Sequence, residues 1–481
     1  MKTSLIQAIA AAGAATALWV APSCRAAIIN VPGDYDKITS AVAAAAVGDT
    51  INIAAGTYNE PDAIYFTPAQ NQVTVNCAGS VAVRVPDNKD AAIFITNDTT
   101  TVTINGMKIE RPTCNNDWMR LVQSGNGSQA IFQNCIFNGP ANGVGIILFD
   151  GADVVVRNST FGNFNPVAEW AGAITCESHN TTGFSDILVE DCTFTDGCNK
   201  WFRTFGGDGN YARVGAVSFL RCTMQAAFTP MGIFCEYRTM YDGTKDILFQ
   251  DCVMNGTALE IAEFHYTDRG GPRSLTFQRV NIPGYDGYRK VMWYDLPCPT
   301  LFEDVLIGGG KHNTLLRFWG GPPSVNFIHC TFVTDGVTAG ENPDGTGDQS
   351  TFIDGWDGGR TFQLRNCLFY TPVAYSPVFN GDSGSAGNRT YDVDYSIIQA
   401  TNIVGSFVTL NGGAHYSNQP IKFVDAVARN YHLAFDSPAI NAGIDLGYSP
   451  DLAGVPRPSG PAVDMGCYEY QQTSVNDWQL F

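Results

Sequence analysis

The sequence predicts an all-β chain wound as a single parallel β-helix, and three observations support that expectation. A phrase made of an apolar strand, then most often Asn-Cys or Asp-Cys, then an aromatic residue or Met, ends at Phe137, Phe194, Met224, Met254, Phe332 and Phe369. Thirty residues separate Cys192 from Cys222 and thirty more separate Cys222 from Cys252, with Ser159, Val280 and Val305 standing where a Cys is missing. Self-similarity at a fixed period marks a solenoid. The unit also alternates inward and outward side chains, favours Val, Ile, Phe and Thr, and is broken by Gly, Asn and Asp. That is strand and turn without a helical period. Leucine-rich repeats would need a Leu frame, and propeller blades would need longer units with hairpin turns; the sequence has neither pattern.

The elements follow in chain order. Met1-Lys2, an apolar stretch from Ile6 to Val20 and small residues up to Ala27 read as a secretory signal over residues 1–26, cleaved near Ala26. Acylation of Cys24 is the lesser alternative, since Ala21 is a poor start for a lipoprotein box. Residues 27–60 are expected to form a cap and first coil. Within them Tyr35 to Val47 sets Ile38, Val42 and Ala45 on one face, so a short amphipathic helix ended by Gly48 is placed to cover the first apolar coil. Residues 61–430 hold the β-helix coils, 431–470 a C-terminal coil and cap, and 471–481 a polar tail without a hydrophobic anchor. The repeat runs through most of the length, so the chain reads as one domain and a monomer, and no run after the signal is apolar for long enough to span a bilayer.

Two segments resemble known sequences. The helix followed by Gly48-Asp-Thr-Ile51 and Ala55-Gly-Thr-Tyr58-Asn-Glu60 is similar to the N-terminal cap and first coil of the pectin lyase-like right-handed β-helix superfamily. Tyr431-His-Leu-Ala-Phe-Asp-Ser437-Pro-Ala-Ile-Asn-Ala-Gly443, with Asp451-Leu-Ala-Gly454 and Val463-Asp-Met-Gly466-Cys-Tyr-Glu469, resembles the choice-of-anchor Q region of exported bacterial β-helix proteins. The resemblance covers roughly residues 28 to 470. It implies a right-handed coil and an extracellular setting, whereas activity has to be read from a site. The lyase, polygalacturonase and methylesterase motifs of that superfamily are absent from this sequence, so those activities do not carry over.

Composition narrows the partners. Net charge is −18 with no basic run, which disfavours nucleic acid and anionic membrane surfaces. The 14 cysteines would suggest disulfides in an exported protein, but stacked rungs lie roughly 4.8 Å apart, wider than the Cβ spacing of about 3.5–4.5 Å that a bridge requires. The ladder cysteines are therefore expected to be free and buried, with a pair still open among Cys114, Cys198, Cys298 and Cys467. Asp445, Asp451, Asp464 and Glu469 admit a calcium site, although organising the C-terminal loops is the favoured reading. Calcium is a candidate cofactor there, and also as a cation shared by outward carboxylates or bridging an acidic glycan.

Chemistry is expected one strand before each cysteine rung. If Ile233 and Cys235 point inward, Phe234, Glu236 and Arg238 point out, and the same alternation turns Glu177, His179, Glu263 and His265 outward. Glu236 and Glu263 on adjacent coils would then lie roughly 5 Å apart. With Arg238 and His265 they form the candidate catalytic group, since paired carboxylates beside an Arg or His can do acid–base work. Glu177, Arg203, Trp293, Asp295, Arg317, Trp319 and Trp356 form the candidate substrate surface, charges for hydroxyls or uronates and indoles for sugar rings. The residues support a secreted protein that binds extracellular polysaccharide and degrades it as a lyase or glycoside hydrolase. The alternative is a non-catalytic glycan- or calcium-binding surface, matrix or adhesin-like structural protein.

Overall fold

The residue before each ladder cysteine turns the chain. Asn134, Asp191, Arg221, Asp251, His329 and Asn366 all take φ between 53° and 57°, as do their counterparts Asn158, Arg279 and Asp304 at 48°, 50° and 54° where Ser or Val replaces Cys. This is the left-handed region, which Asn and Asp enter at least cost among residues with a side chain. The Asn-Cys phrase is thus a bend followed by an inward rung.

In the computed structural model the described residues are 26–96, 100–111, 119–139, 143–164, 172–178, 183–195, 198, 200–206, 211–226, 231–235, 238–256, 260–264, 270–284, 290–294, 296–309, 314–318, 324–334, 351–355, 360–371, 377–381 and 388–472. They form an all-β parallel solenoid. A 28-stranded sheet bends at the left-handed corner, so most coils give it one strand on each side, and a 12-stranded sheet supplies another wall. Backbone bonds link the rungs from coil to coil, Thr193 N to Ser159 O, Thr223 N to Cys192 O, Val253 N to Cys222 O and Asn281 N to Cys252 O, each 2.8–2.9 Å. Strand pairing is parallel throughout these two sheets, as one chain winding in one sense requires.

The interior is a set of stacked ladders. Phe219, Phe249, Phe277, Phe302 and Phe327 stack with centroids 4.9–5.3 Å apart and nearly parallel rings. Phe137, Phe161 and Phe194 form a second stack, continued in register by Met224 and Met254. Such pairs contribute about 0.5–1.5 kcal/mol each beyond burial. The ladder cysteines are free and buried. Their thiols lie 3.4–3.6 Å from carbonyls of the preceding coil, Cys222 to Val189, Cys252 to Phe219 and Cys330 to Phe302. Burial pushes the Cys192 thiol up to about 12 and that of Cys135 to about 11, so both stay protonated. Off the ladder, Cys198, Cys298 and Cys467 are also free; Cys24 and Cys114 lie outside the described residues.

The amphipathic segment is helical over Ile38–Ala44, shorter than the expected Tyr35–Val47 and ending before Gly48. Ile38, Ala41 and Val42 are buried against the first strands. The helix has no side-chain cap of its own. Glu60 supplies one from across the first coil: it accepts from Ile38 N at 3.0 Å and from Thr39 N at 2.9 Å. No described helix is long and apolar enough to cross a membrane.

After its last coil the chain turns into the antiparallel pair Phe423–Asp425 and Asn430–Leu433, then runs back along the side of earlier coils. Asn366 both donates to Ile444 O at 2.8 Å and accepts from Ile444 N at 2.9 Å, Cys467 N meets Thr331 Oγ1 at 3.1 Å, and Arg457 pairs with Asp304. The corner column, solvated in the middle coils, is covered here.

Candidate functional site

One line of outward positions runs up the 12-stranded sheet. In register it reads Tyr65, Phe94, Gln123, Ile147, Thr175, Arg203, Phe234, Glu263, Trp293, Arg317, Asp354 and Asn380. The residues on either side of it point into the core: Ile174 and Cys176, Ile233 and Cys235, Ala262 and Phe264 are all buried. Those flanking residues join the continuous core cluster, and alternate positions of a strand leave its opposite face. Glu177 lies two residues along from Thr175, in the adjoining outward line with Phe149 and Phe205.

Two expectations need correction. The charged residues do not form an open stripe: Glu177, Arg203, Glu263 and Arg317 are only 5%, 4%, 4% and 2% exposed. An outward parity says which face a side chain leaves, not whether that face is covered. Second, Glu263 is not the register neighbour of Glu236. Stacking Ile233 on Ala262 and Cys235 on Phe264 sets Glu263 beside Phe234 on one side and Trp293 on the other. In the same register Arg203 follows Thr175, and Glu177 is followed by Phe205.

Arg238 is exposed in the turn leading to the strand Thr239–Tyr241, which pairs in the larger sheet, so it does not share the line of Glu263. Glu236, His265, Asp295, Trp319 and Trp356 lie outside the described residues, as does His179. The structure therefore brings together Arg203, Glu263, Trp293 and Arg317 by register and separates Arg238 from them. Three rungs divide Glu177 from Glu263, roughly 14 Å at about 4.8 Å per rung.

Residues not chosen from sequence occupy the N-terminal end of the same face. Tyr65 and Phe94 stack at 5.0 Å with rings 6° from parallel, and Tyr65 is 47% exposed. Arg120 lies over the Phe149 ring, 5.3 Å from its centroid, and donates from Nη1 to Gln123 Oε1 at 3.0 Å. Burial lowers the Arg120 pKa from its usual value, while Glu177 and Asp90 favour the charged form. The sequence signal was the phrase Ile147-Leu-Phe-Asp150, which sits in the same strand position as the chosen residues of later coils.

The C-terminal acids organise loops. Asp451 Oδ1 accepts from Ala453 N and Val455 N and its Oδ2 from Glu469 N, Asp464 takes Asn441 N and Tyr470 N, and Glu469 takes Asp464 N and Ser459 N. Their oxygens are committed to backbone N–H groups, the arrangement of a rigid turn cluster. Among the described residues no group of three or more His, Cys, Asp or Glu side chains is placed to hold a metal.

No family model and no curated protein matches the chain. Among solved structures it is similar to pectate lyase Pel9A, at 14% identity and a TM-score of 0.37, over 92% of this chain and 96% of that one.

Proposed function

We propose that the protein is an exported monomer that binds an extended extracellular polysaccharide along the outward face of its 12-stranded sheet. In this reading the coil is right-handed, the helix Ile38–Ala44 closes its N-terminal end, and residues 431–470 are a choice-of-anchor Q type region. The observation that carries the proposal is the N-terminal end of that face, where the exposed Tyr65 stacks on Phe94 and Gln123 follows in register on the next coil. A line advancing about 4.8 Å per coil offers a linear polymer regularly spaced aromatic and polar groups there. A chain at −18 repels polyanions unless a cation such as calcium bridges them. A neutral or cation-bridged glycan fits best.

Binding leads this reading over cleavage. A hydrolase needs two carboxylates about 5–9.5 Å apart, and Glu177 and Glu263 stand farther apart than that by the rung count. Lyase or hydrolase action would have to recruit other groups. The test is a panel of neutral and acidic polysaccharides, with and without Ca²⁺, run by affinity electrophoresis beside assays for new reducing ends and for ultraviolet absorbance of unsaturated products. We expect at least one polysaccharide to retard the protein and a Tyr65→Ala variant to lose that retardation. Retention of none, with no product from any, would end the proposal.

A further inference from the structure

The outward line next to the one just described contains a gap. Its residues are Thr96, Gly125, Phe149, Glu177 and Phe205 on successive coils. Gly125 is not in the left-handed region, so the backbone there does not call for glycine. A Cβ built on it would meet only the Cβ of Phe149, at 3.6 Å, an ordinary contact. The glycine is therefore tolerable as a larger residue, and what it provides is space. Around it opens a cavity of about 300 Å³ lined by Arg120, Gln123, Asn126, Phe149 and Asp150, at the small end of ligand-sized pockets.

The lining favours one class of ligand. Phe149 forms an apolar wall, and the Arg120 guanidinium is held over it while bonded to the Gln123 amide oxygen. That bond leaves the amide nitrogen of Gln123 as a donor. Asn126 supplies a donor and an acceptor, and the Asp150 carboxylate is an acceptor. An anion entering here would face Asp150, with Glu177 and Asp90 within electrostatic reach of Arg120. A cation would face Arg120. A ring that is apolar on its faces and hydroxylated at its edge meets neither objection.

The geometry points to the notch at Gly125 as a binding site for the end residue of a neutral glycan, whose remaining units continue toward Phe94 and Tyr65. This rests on the outward face being the glycan surface. The line itself connects the two places, since Tyr65, Phe94 and Gln123 follow one another in register.

The decisive variant is Gly125→Val, which fills the notch with a residue suited to an outward strand position. Isothermal titration of the full chain with cellohexaose, xylohexaose and hexagalacturonate would compare wild type, Gly125→Val, Gln123→Ala and Tyr65→Ala, with melting temperatures as the folding control. We expect a neutral hexasaccharide to bind wild type and to weaken about tenfold or more in Gly125→Val and Gln123→Ala at unchanged melting temperature, a loss of about 1.4 kcal/mol per tenfold. If Gly125→Val binds like wild type while Tyr65→Ala does not, the notch inference falls and the groove reading stands. Preference for hexagalacturonate overturns the ligand class. If no saccharide binds wild type, both fall.

Discussion

Asn158 bends its coil at φ 48° and is exposed. Its value lies in a backbone angle that most side chains resist, by about 1–2 kcal/mol for an L-residue and more when the side chain is β-branched. Asn158→Val is therefore expected to destabilise the protein by about 1–2 kcal/mol, and Asn158→Gly to be nearly neutral. Equal melting temperatures for the two variants would contradict the corner assignment. The same angle is occupied by Arg221 and Arg279, which lack the local preference of Asn and Asp. Each is compensated by the corner one coil earlier: Arg221 Nε and Nη2 bond Asp191 at 2.7 and 3.0 Å, and Arg279 bonds Asp251 at 2.6 and 3.0 Å. The recurring Asn-Cys phrase was legible as a repeat, while its meaning as a left-handed corner required the backbone angles.

A helix of seven residues is too short to hold itself in water. Burial of one face and the Glu60 carboxylate hold this one, so the Ala-Gly-Thr-Tyr-x-Glu motif is a helix cap brought in from 21 or 22 residues away. Glu60 is itself 4% exposed. Glu60→Ala should cost about 1–2 kcal/mol and speed hydrogen exchange at the Ile38 and Thr39 amides while leaving the later coils protected. Unchanged exchange at those amides would show that packing alone suffices. The outward line obeys a similar lesson of distance. Arg203 and Glu263 each follow their ladder cysteine by eleven residues, but Phe234 follows Cys222 by twelve. One extra residue in a connection moves a neighbour along the line, so spacing from the cysteines does not by itself fix the register, and Phe234 is the register partner of Glu263.

At the scale of the molecule, the C-terminal segment is tied to the solenoid through buried charge. Arg457 pairs with Asp304 and with Glu469, and the three side chains are almost wholly buried. Removing the cation leaves two buried carboxylates, so Arg457→Ala is expected to cost about 3–5 kcal/mol, seen as a lower melting temperature or as early proteolysis of residues after Ala434. The junction also titrates. Burial, opposed by Arg457, pushes Asp304 up to about 8, burial pushes Asp464 up to about 6, and burial with Arg457 pushes His329 down to about 3. The two raised carboxyls favour the docked state most below their ordinary value of 3.8, and that contribution is lost as pH rises through about 6 and then about 8. His329 acts in the opposite sense: its contribution is complete above 6.5 and is lost as pH falls toward about 3. Docking should therefore be firmest near pH 4 and weaken toward pH 8, and a melting temperature rising steadily from pH 5 to 8 would refute the assignment. Much of this molecule could be read along one dimension. The period, the inward ladder, the all-β class and the freedom of the ladder cysteines follow from residues that repeat, because each coil meets only its neighbours and so repeats its own constraints. Burial of Arg203, Glu263 and Arg317, the notch at Gly125 and the Arg457–Asp304 tie depend on residues brought together across coils by connections of unequal length. No local pattern encodes those meetings, so only the folded chain decides them.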